Sequence, residues 1–457
     1  MKTKVLLTVI LLFVVILTNG QWDTDNLSGP RCQMGSAVLG SKIYFAGGAD
    51  QYFYQSKVEI YDVVEEEWDE GVDLSIARSF PSCVANGAKV FFAGGYVQST
   101  TSQCYSEVDI WNSETEQWEA VEYLSVPRYD ISALSYGNKV LFAGGADPIL
   151  NLPYDVVDIY DTETGQWSIE SLSVERGSMG AAVVGDEALF AGGLINLSPE
   201  VTDIVDIYNF STNTWSTHTL SEARAFLAAV TVGSKVLFAG GMRSDNMPSD
   251  RVDIYDASTG SWDTSSLSQP RSFSQTFATS VCNKAYFVGG AICNLSNMQW
   301  EDPTDVIDIY DGILDEWSVD YMPQTVINYA VGGAGNHLLI AGGLIFPSLT
   351  VISNVEIFID NCPNVGIEKI GNSKFEIKIT PNPVYSSTTI QFSLQQPESV
   401  EITILSQLGR VVDQFVRRGQ KGVNKVTWDA GSLPTGVYMC RVSANCNYGT
   451  KKMVIVR

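Results

Sequence analysis

Residues 139–167 read KVLFAGGADPILNLPYDVVDIYDTETGQW, and this stretch decides the fold. Lys139 to Ala143 is nearly all apolar, as in a short strand covered on both faces. Gly144-Gly145 ends that strand, where a residue without a Cβ accepts positive φ and a close neighbour. After a variable loop, Val157-Asp158-Ile159-Tyr160-Asp161 alternates apolar and polar side chains, the mark of a half-buried strand. Thr162-Glu163-Thr164-Gly165 is turn chemistry, and Trp167 follows it.

The same pattern recurs along the chain. Gly pairs close an apolar strand at Gly47-Gly48, Gly94-Gly95, Gly144-Gly145, Gly192-Gly193, Gly240-Gly241, Gly289-Gly290 and Gly342-Gly343. The first residues of successive pairs are 47, 50, 48, 48, 49 and 53 apart, a period that implies stacked or circular repeats. A Trp follows the second strand in six units: Trp68, Trp118, Trp167, Trp215, Trp262 and Trp317. Each unit then reads as four short antiparallel strands. The seventh unit has no Trp after Phe358, but Trp22 stands unclaimed near the other end, before Leu27-Ser28-Gly29-Pro30-Arg31. The N-terminal strand is therefore expected to complete the last unit and close a ring of seven, which removes the open sheet edge.

These residues resemble the kelch-repeat family of β-propellers over about residues 22–360, through the Gly pair, the Tyr before each Trp and the repeat length. The resemblance implies a seven-bladed propeller in which Trp and Tyr pack inside each blade. Trp111 and Phe358 stand where the other units have Tyr.

Beyond Cys362 the period stops. A short linker leads to about seven further strands, which predict a small Ig-like β-sandwich. This stretch resembles the C-terminal sorting domain of type IX secretion cargo in Bacteroidota. The matching residues are Pro381-Asn382-Pro383, Gly409, Leu433-Pro434-Thr435-Gly436-Val437-Tyr438 and the terminal strand from Lys452. The resemblance implies handling by the type IX secretion machinery, then release or display on the surface. The start of the chain fits: Lys2 and Lys4 precede the apolar run Val5 to Leu17, and small residues Thr18 and Gly20 precede a cut at Gly20-Gln21, as in a signal peptide. The expected organisation is a signal peptide over 1–20, a propeller over 21–362, a linker over 363–373 and a sorting domain over 374–457, all-β throughout, with no transmembrane anchor in the mature chain.

Composition narrows the function. The 457 residues hold 28 Lys+Arg against 52 Asp+Glu, a net charge of -24, with 2 His and 8 Cys. Residues 21–362 alone carry 14 − 46 = -32. Such acidity argues against nucleic acid as a partner. Two histidines in different parts of different units, His218 and His337, leave little for His-based catalysis or copper.

Of the 14 bases of the propeller, six recur at one position: Arg31, Arg78, Arg128, Arg176, Arg224 and Arg271, with Val326 in the seventh unit. Five more recur just before the Gly-pair strand, at Lys42, Lys89, Lys139, Lys235 and Lys284. The arginines are expected to ring one mouth of the propeller. There they either read an anionic ligand through forked guanidiniums or pair with strand acids such as Asp109, Asp158, Asp206, Asp253 and Asp308. The loops after the Gly pairs are expected on one face, with aromatics (Tyr52, Phe53, Tyr54, Tyr96, Tyr154, Trp300, Phe346) and acids. Ca²⁺ takes six to eight oxygens, but no spacing here resembles a calcium loop, and no cofactor is predicted. Bridges Cys32–Cys362, near the two ends that meet at closure, and Cys440–Cys446 are predicted. The reading is a secreted or surface-displayed module that binds a protein or glycan ligand. A carbohydrate-active enzyme and a passive surface component are the alternatives.

Overall fold

The computed structural model describes residues 20–98, 102–147, 152–195, 200–273, 277–295, 299–361, 377–394, 398–406, 411–431, 433–444 and 447–456. They are strands, turns and loops, with no helix among them. The segment expected to be a signal peptide, as far as Asn19, the expected linker, Gly409, Cys362 and Cys446 lie outside the described residues. The chain divides into two compact units, Met1–Cys362 and Pro363–Arg457.

In the first unit the described residues form seven sheets of one design. The first runs Gly35–Leu39, Lys42–Ala46, Lys57–Asp62 and Glu67–Asp73, every neighbour antiparallel. The second splits its outer strand into Gln117–Trp118 and Glu122–Tyr123, both paired with Glu107–Asn112. The seventh is assembled from both ends of the unit: Ala330–Ala334, His337–Ala341, Asn354–Asp360 and then Gly20–Asn26. That last pairing is in register from Gly20↔Asp360 to Asn26↔Asn354. The innermost strand of each sheet packs against that of the next, and Ala330–Ala334 packs back on Gly35–Leu39, so the series closes.

The Gly pairs sit where the sheets meet. A Cβ on Gly47 (φ 64°) would lie 2.5 Å from the Arg78 carbonyl oxygen, and one on Gly48 (φ 94°) 2.5 Å from that of Cys32. The Gly48 N–H donates to the Arg78 carbonyl of the next sheet, and Gly95, Gly145, Gly193, Gly241 and Gly343 repeat this toward Arg128, Arg176, Arg224, Arg271 and Arg31. Apolar cores fill the spaces between neighbouring sheets. Phe91 and Ile110 of the second meet Phe142 and Tyr160 of the third, for example. Each fully buried side chain of this size contributes about 1.5–3 kcal/mol. The repeated Trp is a cross-strand partner: Tyr61↔Trp68, Trp111↔Trp118, Tyr160↔Trp167, Tyr208↔Trp215, Tyr255↔Trp262, Tyr310↔Trp317 and Phe358↔Trp22. Their ring centroids lie 4.9–5.3 Å apart, tilted or edge-on.

The second unit has two sheets over one core. One is Lys378–Thr380, Ser387–Leu394 and Gly422–Asp429; the other is Val411–Gly419, Glu398–Ser406, Gly436–Ala444 and Asn447–Ile455. The sequence motifs hold its last strand and its corner. Asn382 accepts from the Val454 N–H at 2.8 Å and donates to the Lys452 carbonyl at 3.0 Å. The Tyr438 hydroxyl donates to the Pro434 carbonyl at 3.0 Å.

Both predicted disulfides are corrected. Cys32 and Cys440 are free buried thiols. The Cys32 sulfur faces the Ala49 carbonyl at 3.5 Å. Cys440 lies inside a strand that runs four residues further to Ala444, roughly 13 Å at strand rise, before the chain reaches position 446. Cys282 is disulfide-bonded.

Candidate functional site

The six repeated arginines turn inward. Arg78, Arg128, Arg176 and Arg224 are fully buried, and Arg31 and Arg271 nearly so. Each meets an acid on the third strand of its own sheet: Arg31 with Glu59, Arg78 with Asp109 (2.7 Å), Arg128 with Asp158 (2.8 Å), Arg176 with Asp206 (2.6 Å), Arg224 with Asp253 and Arg271 with Asp308 (2.7 Å). The same acid accepts from the backbone N–H of the Ser three residues before the Arg: Ser28, Ser75, Ser125, Ser173, Ser221 and Ser268. The guanidiniums of Arg31, Arg128, Arg224 and Arg271 also donate to the first glycine of the pair, as Arg128 Nε does to the Gly144 carbonyl at 2.8 Å. Burial lowers the pKa of Arg128 and Arg176, and the facing carboxylate works against that. The arginines therefore tie the incoming linker to the third strand in six sheets, and to the Gly pair as well in four of them. They do not face a ligand in the mouth.

The lysines are engaged as well. Lys89 meets Glu119 at 2.8 Å in its own sheet, while Lys235 and Lys284 reach Asp315 and Asp360 of the following one. His218 stacks on Trp262, and His337 is buried three sheets away near Glu66, so no shared His site forms.

What opens at the mouth is the position two residues after the arginine: Gln33, Phe80, Asp130, Ser178, Phe226, Phe273 and, after Val326, Asn328. All seven line one cavity of about 560 Å³. Six of them, all but Phe273, have φ between 51° and 59°, a left-handed backbone that non-glycine residues hold at about 1–3 kcal/mol each. Sheet-to-sheet hydrogen bonds hold this conformation. The Gln33 N–H donates to Asn328 O (2.8 Å), Phe80 to Gln33 (2.9 Å), Phe226 to Ser178 (2.9 Å) and Phe273 to Phe226 (2.8 Å). A ring of this kind, with five residue types at seven equivalent positions, aims Phe, Gln, Asn, Ser and Asp side chains into one space.

Loop residues complete the wall. Tyr96, Trp300 and Phe346 come from the loops after three Gly pairs, as does Gln98, whose backbone is bonded to the Tyr54 hydroxyl. Phe80, Tyr96 and Tyr129 form one aromatic group, with Tyr96–Tyr129 at 4.9 Å and Phe80 parallel to Tyr96 at 6.3 Å. Phe226 and Trp300 meet edge-on at 5.8 Å. Tyr52 and Phe53 stay exposed. The Asp130 carboxylate accepts from the Ser178 hydroxyl at 2.6 Å. Burial pushes it up to about 6, against the Ser178 hydrogen bonds that lower it. Below the mouth a channel of about 240 Å³ is lined by small residues of the innermost strands, including Ser36, Ser82, Gly180 and Gly332. Among the described residues no group of three metal-ligating side chains forms.

Residues 80–290 match the family model described as the KLHDC2/KLHL20/DRC7 Kelch-repeats domain. Residues 30–75 match the Kelch motif, and residues 378–456 the Secretion system C-terminal sorting domain. The chain carries kelch repeats and a C-terminal sorting domain. The kelch repeats are 41% identical over 59 residues to Kelch-like protein 4 of Homo sapiens, which is 13% of this chain. The chain spans 8% of the length of that relative. A solved structure described as "Structure of YjhT" is similar with a TM-score of 0.50 at 15% identity, over 65% of this chain and 99% of the other, a likeness of propeller fold alone. The sorting domain implies export, to the medium or the cell surface. Among the described residues no helix is long and apolar enough to cross a membrane.

Proposed function

We propose that this is a secreted or surface-displayed binding protein, a seven-bladed kelch propeller that takes a protein or glycan ligand at its loop-side mouth. The C-terminal unit acts as an Ig-like sandwich read by the type IX secretion machinery. The observation that carries the reading is the cavity, whose size and mixed aromatic and polar wall suit a ligand site. The wall combines conserved backbone geometry with side chains that differ from sheet to sheet, as recognition of an asymmetric ligand requires. Glycosidic hydrolysis calls on two carboxyls, and Asp130 is the one carboxyl among the described residues that line the cavity, so binding is favoured over catalysis.

The test is an array of glycans and surface proteins probed with the purified chain and with a Phe80→Ala/Tyr129→Ala variant. Binding that falls at least tenfold in the variant, at an unchanged melting temperature, supports the reading. Ligands held equally well by both proteins would move the site away from the mouth.

A further inference from the structure

The charge of the mouth runs opposite to what the repeated arginines lead one to expect. The described residues lining the cavity include no Lys, Arg or His, and one carboxylate. The arginines nearest to it are each tied to an acid of their own sheet. The surrounding unit is strongly acidic, at 14 − 46 = -32 over residues 21–362. Low-dielectric walls focus such a field into a cleft.

The wall chemistry adds to this. Phe80, Tyr96 and Tyr129 cluster on one side and Phe226 with Trp300 on another. Aromatic faces carry the negative end of a quadrupole and attract an organic cation, more strongly where water is excluded. Asp130 follows Tyr129 directly, and the Ser178 hydroxyl fixes its carboxylate on the cavity wall. An anion brought here would meet Asp130 and ring faces, with no cationic side chain among the described lining residues to offset its desolvation.

We propose that the mouth cavity selects an organic ammonium group on an apolar body, with Asp130 as its counter-ion and the Phe80/Tyr96/Tyr129 cluster as its seat. This rests on the mouth being the binding site, as argued above. The ammonium comes from a free amine or from a lysine side chain offered by a partner, and the chemistry is the same.

Asp130 also sets a pH dependence. Among the described residues, Tyr129 and Cys293 lie within electrostatic reach of Asp130, and burial pushes both upward, Cys293 to about 12. They stay neutral across the range in which Asp130 changes charge. The carboxylate form, and with it the cation site, is present above about pH 6 and is lost as the pH falls through that value.

The experiment is calorimetric titration of the full chain with phenethylamine, phenethyl alcohol and phenylacetate, three probes of one body and three charges, and with acetylated, amidated lysine. The amine is expected to bind about tenfold more tightly than the alcohol at pH 8 and the acid not at all. The preference should disappear in Asp130→Asn and, for the wild type, at pH 5. The wild-type pH series keeps the test valid should the variant fold poorly. The lysine probe, if it matches the amine, points to a partner side chain; if it is rejected, to a free amine. Alcohol and amine bound equally, with Asp130→Asn indifferent, overturns the cation inference and leaves the mouth reading standing. Tightest binding of phenylacetate overturns it too. No binding by any probe also overturns the cation inference, while the mouth reading stands or falls on the array and the Phe80→Ala/Tyr129→Ala variant.

Discussion

The seventh sheet differs from the other six in one built-in detail. In the first six, an acid on the third strand is held by a guanidinium and by a Ser N–H from the incoming linker. The seventh keeps the acid, Glu356, but has Val326 in place of the arginine and Pro323 in place of the serine. Proline has no N–H to give. Glu356 is buried, one of its carboxylate oxygens has no hydrogen-bond partner, and burial raises its pKa. Three residues after Val326, Tyr329 ties the seventh sheet to the sixth, donating to the Val288 carbonyl at 2.8 Å and stacking on Phe277 at 4.0 Å. The lesson is that the closing sheet is held from its outside edge by the N-terminal strand, and the others from within by an ion pair.

That contrast can be broken or sharpened. Removing residues 20–26 strips the seven-residue register and the Trp22–Phe358 contact from the seventh sheet. The expected outcome is loss of the cooperative folded monomer, seen as a collapsed calorimetric transition or as oligomers that share strands. Arg176→Ala comes next. It leaves Asp206 buried and unpaired, and is expected to lower stability by about 3–5 kcal/mol in denaturant titration without altering ligand binding at the mouth. If stability held and binding failed, the structural role given to the arginines would be wrong.

The seventh sheet should respond in the opposite sense. Glu356→Gln is expected to stabilise the protein by about 1 kcal/mol at pH 8. The sign follows from its raised folded pKa: the folded state binds the proton more tightly than the unfolded state. The wild type therefore loses stability as pH rises above the ordinary glutamate value, and Glu356→Gln should flatten that slope. The smallest effect is expected of Pro323→Ser, which restores one N–H toward Glu356 and should add about 0.5–1.5 kcal/mol. Equal unfolding curves for the wild type and both variants would mean that Glu356 is satisfied after all.

Much of this architecture was legible in the sequence because it recurs. The Gly pairs, the Tyr–Trp partners and the displaced Trp22 fixed the number and closure of the sheets through spacing alone. Asn382 and Tyr438 likewise sat in motifs whose bonds the structure then supplied. The direction of the arginine side chains was not legible, because a repeat position gives a place on a circle and not the side of the wall that a side chain faces. The loop aromatics Tyr96, Trp300 and Phe346 were legible as one face, but the ring of wall residues was not. Gln33, Phe80, Asp130, Ser178, Phe226, Phe273 and Asn328 comprise five residue types, and a repeat pattern does not mark a position that varies. The signal was present as variation at a constant offset from the arginine. The disulfide at Cys32 failed because nearness of two chain ends in a ring does not orient a thiol.

The join between Gly20–Asn26 and Asn354–Asp360 also has a meaning in time. The ribosome makes Asn26 some 354 − 26 = 328 residues before its partner. At roughly 5–20 residues per second, the first strand waits about 16–66 s with its edge unsatisfied. The ring cannot complete until residues 354–360 have been made, and that last contact unites the first strand of the unit with its last.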